Sequence, residues 1–445
     1  MSEALAAMDI VVRGGTVVTM DPARRVVRGD VLVQNGAITA IGRLPAHTRA
    51  RSLDATGCVV LPGLVQAHVH LCQALFRGMA DDLPLMEWLR RRIWPLEAAH
   101  DGRSNGASAR LGLYEMMRAG TTTILDMGTV REEDAVFEAM RESGVRGFSG
   151  KAMMDRGSGV PAGLRESTKD SLRESEALIG RWHGAGRLGY ALAPRFILSC
   201  SEKLLRQTAE LSREKDVIVH SHAAEHRGER DEVRRLLGKD DVDVLASYGI
   251  AGPRTVLAHG VQLTAAQKKA CGKRGTRFVH CPSANLKLAS GIADVVSMRA
   301  AGMVVGLGAD GAPCNNRMDP FTELRSAALL AKAVTGDAAA LAAMDALALA
   351  TIEGARVLGI DDQVGSLEVG KRADLSVVRV DGPHCEPGGD PAARVVYSAT
   401  AADVEHVLVD GEIVVLSREH RRLDGERVVE DARREAKRLV GRAKI

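Results

Sequence analysis

A (β/α)8 barrel joined to a small β-sandwich domain built from both chain ends is the fold class this sequence predicts. Three observations carry it. Through the middle of the chain, eight short apolar runs alternate with longer segments of helical period. Before and after that region the texture changes to short strands with Gly and Asn-Gly turns. The 445 residues exceed one typical domain but suit a large barrel with an accessory module.

The first flank runs from "DIVVRGGTVVTMD" through "DVLVQNGAITAIG". The candidate barrel strands follow in order: "GLVQAHV" from Gly63, "TTTILDM" from Thr121, "RGFSGKAMM" from Arg146 and "LGYALAP" from Leu188. The second half supplies "DVIVHSH" from Asp216, "TVLAHG" from Thr255, "TRFVHC" from Thr276 and "MVVGLGAD" from Met303. Between them lie helical patterns such as "ASARLGLYEMMRAG" and "DEVRRLLGKDDVDVLASYG". The β texture returns in "ADLSVVRVDG" and "VEHVLVDGEIVV". The resulting division is 1–61 and 365–445 for the two parts of the sandwich, and 62–364 for the barrel. The closing "ERVVEDARREAKRLVGRAKI" reads as a charged amphipathic helix packed on the body.

Composition removes several functions. A formal net charge of +3 is too near neutral for a nucleic-acid binder, and 3% aromatics leave no base-stacking platform. No apolar run reaches the length of a membrane span, about 18 residues or more. The start, "MSEALAAMDIVVRGG", lacks the basic and apolar regions of a signal peptide. Seven scattered cysteines without a Cys-x-x-Cys pair argue for a reducing cytoplasm and against a disulfide framework.

Barrel enzymes carry their chemistry at the C-terminal ends of the strands. The first strand ends in His68 and His70, which alternation aims at one spot. The fifth ends in "VHSHAAE", with His220, His222 and Glu225. The sixth ends in His259 and the eighth in Asp310. Three imidazoles and a carboxylate suit one borderline divalent cation per subunit, zinc or ferrous iron. The expected ligands are His68, His70, His222 and Asp310, with His259 either binding the metal or hydrogen-bonding its water. Glu225, three residues past His222, is placed for a proton shuttle. His220 reads as a supporting residue one pleat deeper. His280 fits either the pocket wall or the core, and Cys281 the core. His47, His100, His183, His226, His384, His406 and His420 read as surface or loop residues. The pattern "HCPSAN" lacks the Cys-x-x-Cys and His-x-Glu of a cytidine-deaminase zinc site.

"PGLVQAHVH", "HSHAAE", "LAHG", "HCPSANLKLASG", "GLGADG" and "GSLEVGKRADL" together resemble the amidohydrolase superfamily over nearly the whole chain. Two-metal members bridge their metals with a fourth-strand lysine; "LGYALAPR" has none, and Lys151 comes a strand early. The resemblance is therefore to the mononuclear deaminases. "LFRGMADDLPLMEWLRRRIWPLE" and "GADGAPCNNRMDPFTELRSAALL" narrow it to those acting on S-adenosylhomocysteine, 5'-methylthioadenosine and 5'-deoxyadenosine.

That resemblance implies Glu87, in "MEWL", as the carboxylate holding the ribose hydroxyls; a helix-surface charge is the alternative. Arg195 stands where some of these enzymes have histidine and where similar guanine deaminases contact the purine. Arg156, in "MMDRGSG", is a second candidate for a purine or tail contact, or else a surface ion pair. Asn285 shapes the pocket or stabilises its loop. The implied substrate is a small purine nucleoside and the implied assembly a homo-oligomer. The competing activity is hydrolysis of guanine, a triazine or another aminated heterocycle. A barrel without catalysis would lack at least one ligand, and none is missing.

Overall fold

The computed structural model describes residues 9–445; most of the N-terminal stretch read above for a signal peptide lies outside them. Eight strands lie parallel in consecutive order: Leu64–Val69, Thr121–Asp126, Arg146–Ser149, Leu188–Pro194, Ile218–Ala223, Thr255–His259, Arg277–His280 and Val305–Leu307. All eight runs expected from the sequence are strands. The third differs in detail, resuming as Ala152–Met153 after Gly150 and Lys151. A side chain at Gly150 would collide with the Ala191 carbonyl oxygen of the fourth strand, so only glycine lets the chain pass.

The ring closes between its first and last strands. The Asp310 N–H donates to the His68 carbonyl at 3.1 Å, and the Ala309 N–H to the Gln66 side chain at 3.1 Å. Gly308 permits this approach, because a Cβ there would lie 2.5 Å from the His68 carbonyl oxygen. Barrel closure thus carries the end of strand eight against His68.

The chain ends build a second, mixed sheet of nine strands. Cys58–Pro62 joins the halves: it runs parallel to Ile10–Val18 and antiparallel to Leu375–Arg379. Two hairpins turn at Asn35-Gly36 and Asp410-Gly411, with φ of 51° and 75°, and 57° and 76°. Both central residues are left-handed, as the twist of a two-residue hairpin demands. The last helix, Gly425–Ala443, buries Val428, Ala432 and Leu439, and Arg442 donates to the Ala99 carbonyl at 2.8 Å. Among the described residues, no helix is long and apolar enough to cross a membrane.

A buried ion pair ties the two sheets together. Arg146, at the start of the third barrel strand, donates to both Asp374 oxygens at 2.8 and 3.0 Å. Asp374 also accepts from the Asp410 N–H at 2.7 Å. Asp374→Ala strands the guanidinium and is expected to destabilise the fold by about 3–5 kcal/mol, read from the denaturant midpoint. An unchanged midpoint would show that the pair does not couple the sheets.

Candidate active site

Strand alternation turns Gln66, His68 and His70 to the barrel interior, and likewise His220 and His222. Four of the site's imidazoles are oriented through Nδ1. His70 Nδ1 meets the Met127 carbonyl at 2.8 Å and His222 Nδ1 the Arg195 carbonyl at 2.7 Å. A carbonyl only accepts, so both Nδ1 atoms carry hydrogen and both Nε2 atoms present lone pairs. Those lone pairs face each other at 3.2 Å. His259 Nδ1 is held by Asn285 Oδ1 at 2.9 Å, and His68 Nδ1 by His220 Nε2 at 2.8 Å. Nε2 of both His68 and His259 is buried without a hydrogen-bond partner.

Asp310 completes the cluster: its Oδ1 is 3.4 Å from Nε2 of both His68 and His70. Its Oδ2 is 3.9 Å from His259 Nε2, and Glu225 Oε2 is 3.6 Å from the same nitrogen. His259 and Asp310 have φ of 80° and 62°, a left-handed backbone that side chains rarely adopt and that gathers at working sites.

Burial keeps His68, His70 and His222 neutral, as metal ligation requires: it lowers His68, takes His70 to about 3 and puts His222 well below its ordinary value. Burial raises Glu225 to about 7, against the opposing pull of His259 and Arg195. Burial alone would also raise Asp310; the His68, His259 and His70 rings, with Nε2 atoms 3.4–3.9 Å from its oxygens, outweigh it and hold the carboxyl well below the usual range. Converging lone pairs, bare buried Nε2 atoms and an ionised carboxylate fit a divalent cation bound by His68, His70, His222 and Asp310. His259 lies close enough to share it: ligand atoms of His68, His222 and His259 fall within 4.8 Å of one another.

Above this cluster, Leu85, Trp88, Leu89, Phe196 and Leu288 form an apolar wall, with Arg195, Glu225 and His259 as polar contacts. Arg195 does line the pocket, but its guanidinium donates to Glu97 Oε2 at 2.7 Å, and Gln73 donates to Glu97 Oε1 at 2.8 Å. Glu87 is not brought to the pocket: it is exposed and pairs with Arg91 at 3.4 Å, one helical turn on. The helix buries Leu85, Trp88 and Leu89, which turns Glu87 outward. Arg156 is exposed and lines a neighbouring groove that shares Phe196 with the pocket.

Other expectations are refined. His220 supports His68, and Asn285 orients His259. His280 is buried in the core, outside the pocket lining. Lys151 is buried and its Nζ donates to Glu166 at 2.6 and 2.8 Å, away from the histidines. His406 and His420 are corrected to buried residues, their Nδ1 atoms accepting backbone N–H groups of the terminal sheet. Glu97 escaped the sequence reading, since a lone glutamate in "WPLEAAH" carries no spacing signal.

A parallel barrel with imidazoles and carboxylates gathered at its strand ends defines a class of metal-binding hydrolases. The chain belongs to the amidohydrolase family, whose profile matches residues 59–414. It is 41% identical to a 5-methylthioadenosine/S-adenosylhomocysteine deaminase of Desulforudis audaxviator, covering 93% of this chain and 95% of that protein. It is 40% identical to a 5'-deoxyadenosine deaminase of Methanothermobacter thermautotrophicus, with 93% and 95% covered. The crystal structure of a Xanthomonas campestris adenosine deaminase with bound zinc superposes with a TM-score of 0.91 at 33% identity, covering 98% of this chain and 99% of that one.

Proposed function

We propose that this protein is a metal-dependent deaminase that hydrolyses the 6-amino group of adenine nucleosides, with one zinc ion per subunit. The observation that carries the reading is the Glu225–His259–Asp310 group, set between the bare imidazole nitrogens and an apolar wall that suits a purine face. The relatives' names support the nucleoside.

His68, His70, His222 and Asp310 would hold a divalent ion, which would lower the pKa of the attacking water. Asp310 takes a proton from the attacking water at Oδ2. His259 Nε2, fixed by Asn285, holds the attacking oxygen as it approaches C6. Glu225 gives a proton to ring N1; as the C6–N bond breaks, the proton held by Asp310 and the proton of the added hydroxyl go one to the departing amine and one back to Glu225, so that ammonia leaves and both carboxyls return to their starting states. The wall of Leu85, Trp88 and Leu89 excludes bulk water.

Glu97, whose two oxygens accept from Arg195 and Gln73, fixes the Arg195 guanidinium at the pocket from behind. Arg195 itself contacts the substrate, and the 5'-substituent runs past Phe196 toward Arg156. Neither Arg156 nor Arg90 in that groove forms an ion pair among the described residues, leaving both free for an anionic tail.

Ammonia release from the zinc-loaded protein tests the substrate. The panel is adenosine, 5'-deoxyadenosine, 5'-methylthioadenosine, S-adenosylhomocysteine, adenine and guanine. Preference for the nucleosides is expected. Preference for guanine would move the reading to Arg195 as a base-reading residue. Glu97→Gln is expected to loosen Arg195 and raise the Michaelis constant more than it lowers turnover; an unchanged Michaelis constant would remove Glu97 from the support of Arg195.

A further inference from the structure

Beneath the end of the first barrel strand lies a buried polar group that the proposed chemistry does not use. Asp126 closes the second strand, Ser149 closes the third, and Glu133 opens the helix Glu133–Ser143. Their exposures are 0%, 0% and 2%. Ser149 Oγ lies 2.6 Å from Asp126 Oδ2 and 2.6 Å from Glu133 Oε1.

A hydroxyl has one hydrogen and satisfies one carboxylate. If both acids were ionised, the second contact would set lone pair against lone pair and bring two like charges together in a dry interior. The arrangement closes only with one further proton. Asp126 has another donor, the Leu71 N–H, which meets its Oδ1 at 2.7 Å. Glu133 Oε2 has no partner. From this asymmetry we infer that Glu133 is a protonated carboxylic acid donating to Ser149, that Ser149 donates to an ionised Asp126, and that this relay positions His70.

The link to His70 is direct on both sides. Leu71, whose N–H the relay holds, is the next residue. Met127, whose carbonyl takes the His70 ring hydrogen, follows Asp126. Glu133 touches neither the pocket nor the reacting atoms, so it is a positioning residue. Asp126, Lys151, Asp134 and Tyr190 are the titratable groups around it. Burial and then the Asp126 charge raise Glu133 well above its ordinary value, and Lys151 opposes them. Burial raises Asp126 less, to about 7, because Leu71 and Ser149 stabilise its anion. The positioning role rests on the metal reading; the proton does not.

Glu133→Gln in the full chain is the test, because an amide donates to Ser149 as the acid does. Infrared spectra at pH 8 should show a protonated-carboxyl band in the wild type that the variant lacks. The band is also read on the wild type alone, so the test survives a variant that does not fold. Its absence there would overturn the inference. An acid raised by folding stabilises fully below its unfolded value near 4.5, and that stability is lost as pH rises toward the folded value. The wild-type folding equilibrium should therefore fall relative to the variant by about tenfold per pH unit above pH 5; parallel pH slopes would overturn the proton assignment. Ser149→Ala should weaken zinc binding by about 10–100-fold while Glu133→Gln stays near wild type. Zinc binding unchanged in Ser149→Ala would overturn the positioning role. Wild type that bound no zinc would overturn the metal reading and leave the infrared result to decide the proton.

Discussion

His70→Ala is expected to remove bound metal and turnover together. His70 Nε2 faces His222 Nε2 at 3.2 Å and Asp310 Oδ1 at 3.4 Å, so it stands between two other donors of the cluster. Its ring is fixed by Met127, and burial keeps it neutral at about 3. Alanine removes a lone pair that no neighbour replaces. The affinity loss should exceed the roughly 10–100-fold that follows from losing an outer partner of a ligand. His220→Ala supplies that comparison: it takes away only the group that orients His68, and should fall within that range. Metal content after dialysis against a chelating buffer, measured beside ammonia release, checks both variants. A His70→Ala protein with full metal and full turnover would remove His70 from the site.

The arrangement around His70 shows which parts of the site a sequence exposes. His68 and His70 were legible because a strand alternates with period two, and the same rule put His220 on the face of His222, one pleat deeper. His259 and Asp310 were legible as strand ends. In each case one local rule, together with the eightfold alternation, fixes where the side chain goes. Glu87 and Glu97 obey no such rule. Both lie in the long excursion after the first strand, on short helices whose facing depends on which apolar residues the barrel takes in. Leu85, Trp88 and Leu89 go inward, so Glu87 goes out; Glu97 goes in because Arg195 and Gln73 meet it there. Arg195 comes from a strand 98 positions away in sequence, a pairing no local pattern signals. His406 and His420 fail differently. They sit in strands of the terminal sheet, where a polar residue with a backbone donor is tolerated in the interior.

Glu225→Gln should separate chemistry from metal binding. Glu225 is 5% exposed, and its Oε2 lies 3.6 Å from His259 Nε2, beside the cluster but outside the four expected ligands. Glutamine keeps the shape and hydrogen-bonding capacity, so metal content should match the wild type. It cannot carry a titrating proton, and turnover should fall by about 100-fold or more. The raised value of about 7 makes the loss large, because such a group is partly protonated and partly ionised near neutrality and serves as both donor and acceptor. An ordinary exposed glutamate is almost wholly ionised there and has little proton to give. The paired measurement discriminates: His70→Ala loses metal and rate, Glu225→Gln only rate. If the glutamine variant instead turned over at the wild-type rate, Asp310 would have to take the proton from water and deliver it to the purine. Asp310 is also one of the four expected ligands, its Oδ1 3.4 Å from Nε2 of both His68 and His70, so a single carboxylate would have to hold the ion and carry out both proton transfers. Glu225, outside the expected ligand set, 3.6 Å from His259 Nε2 and raised to about 7, is thus the group assigned the delivery.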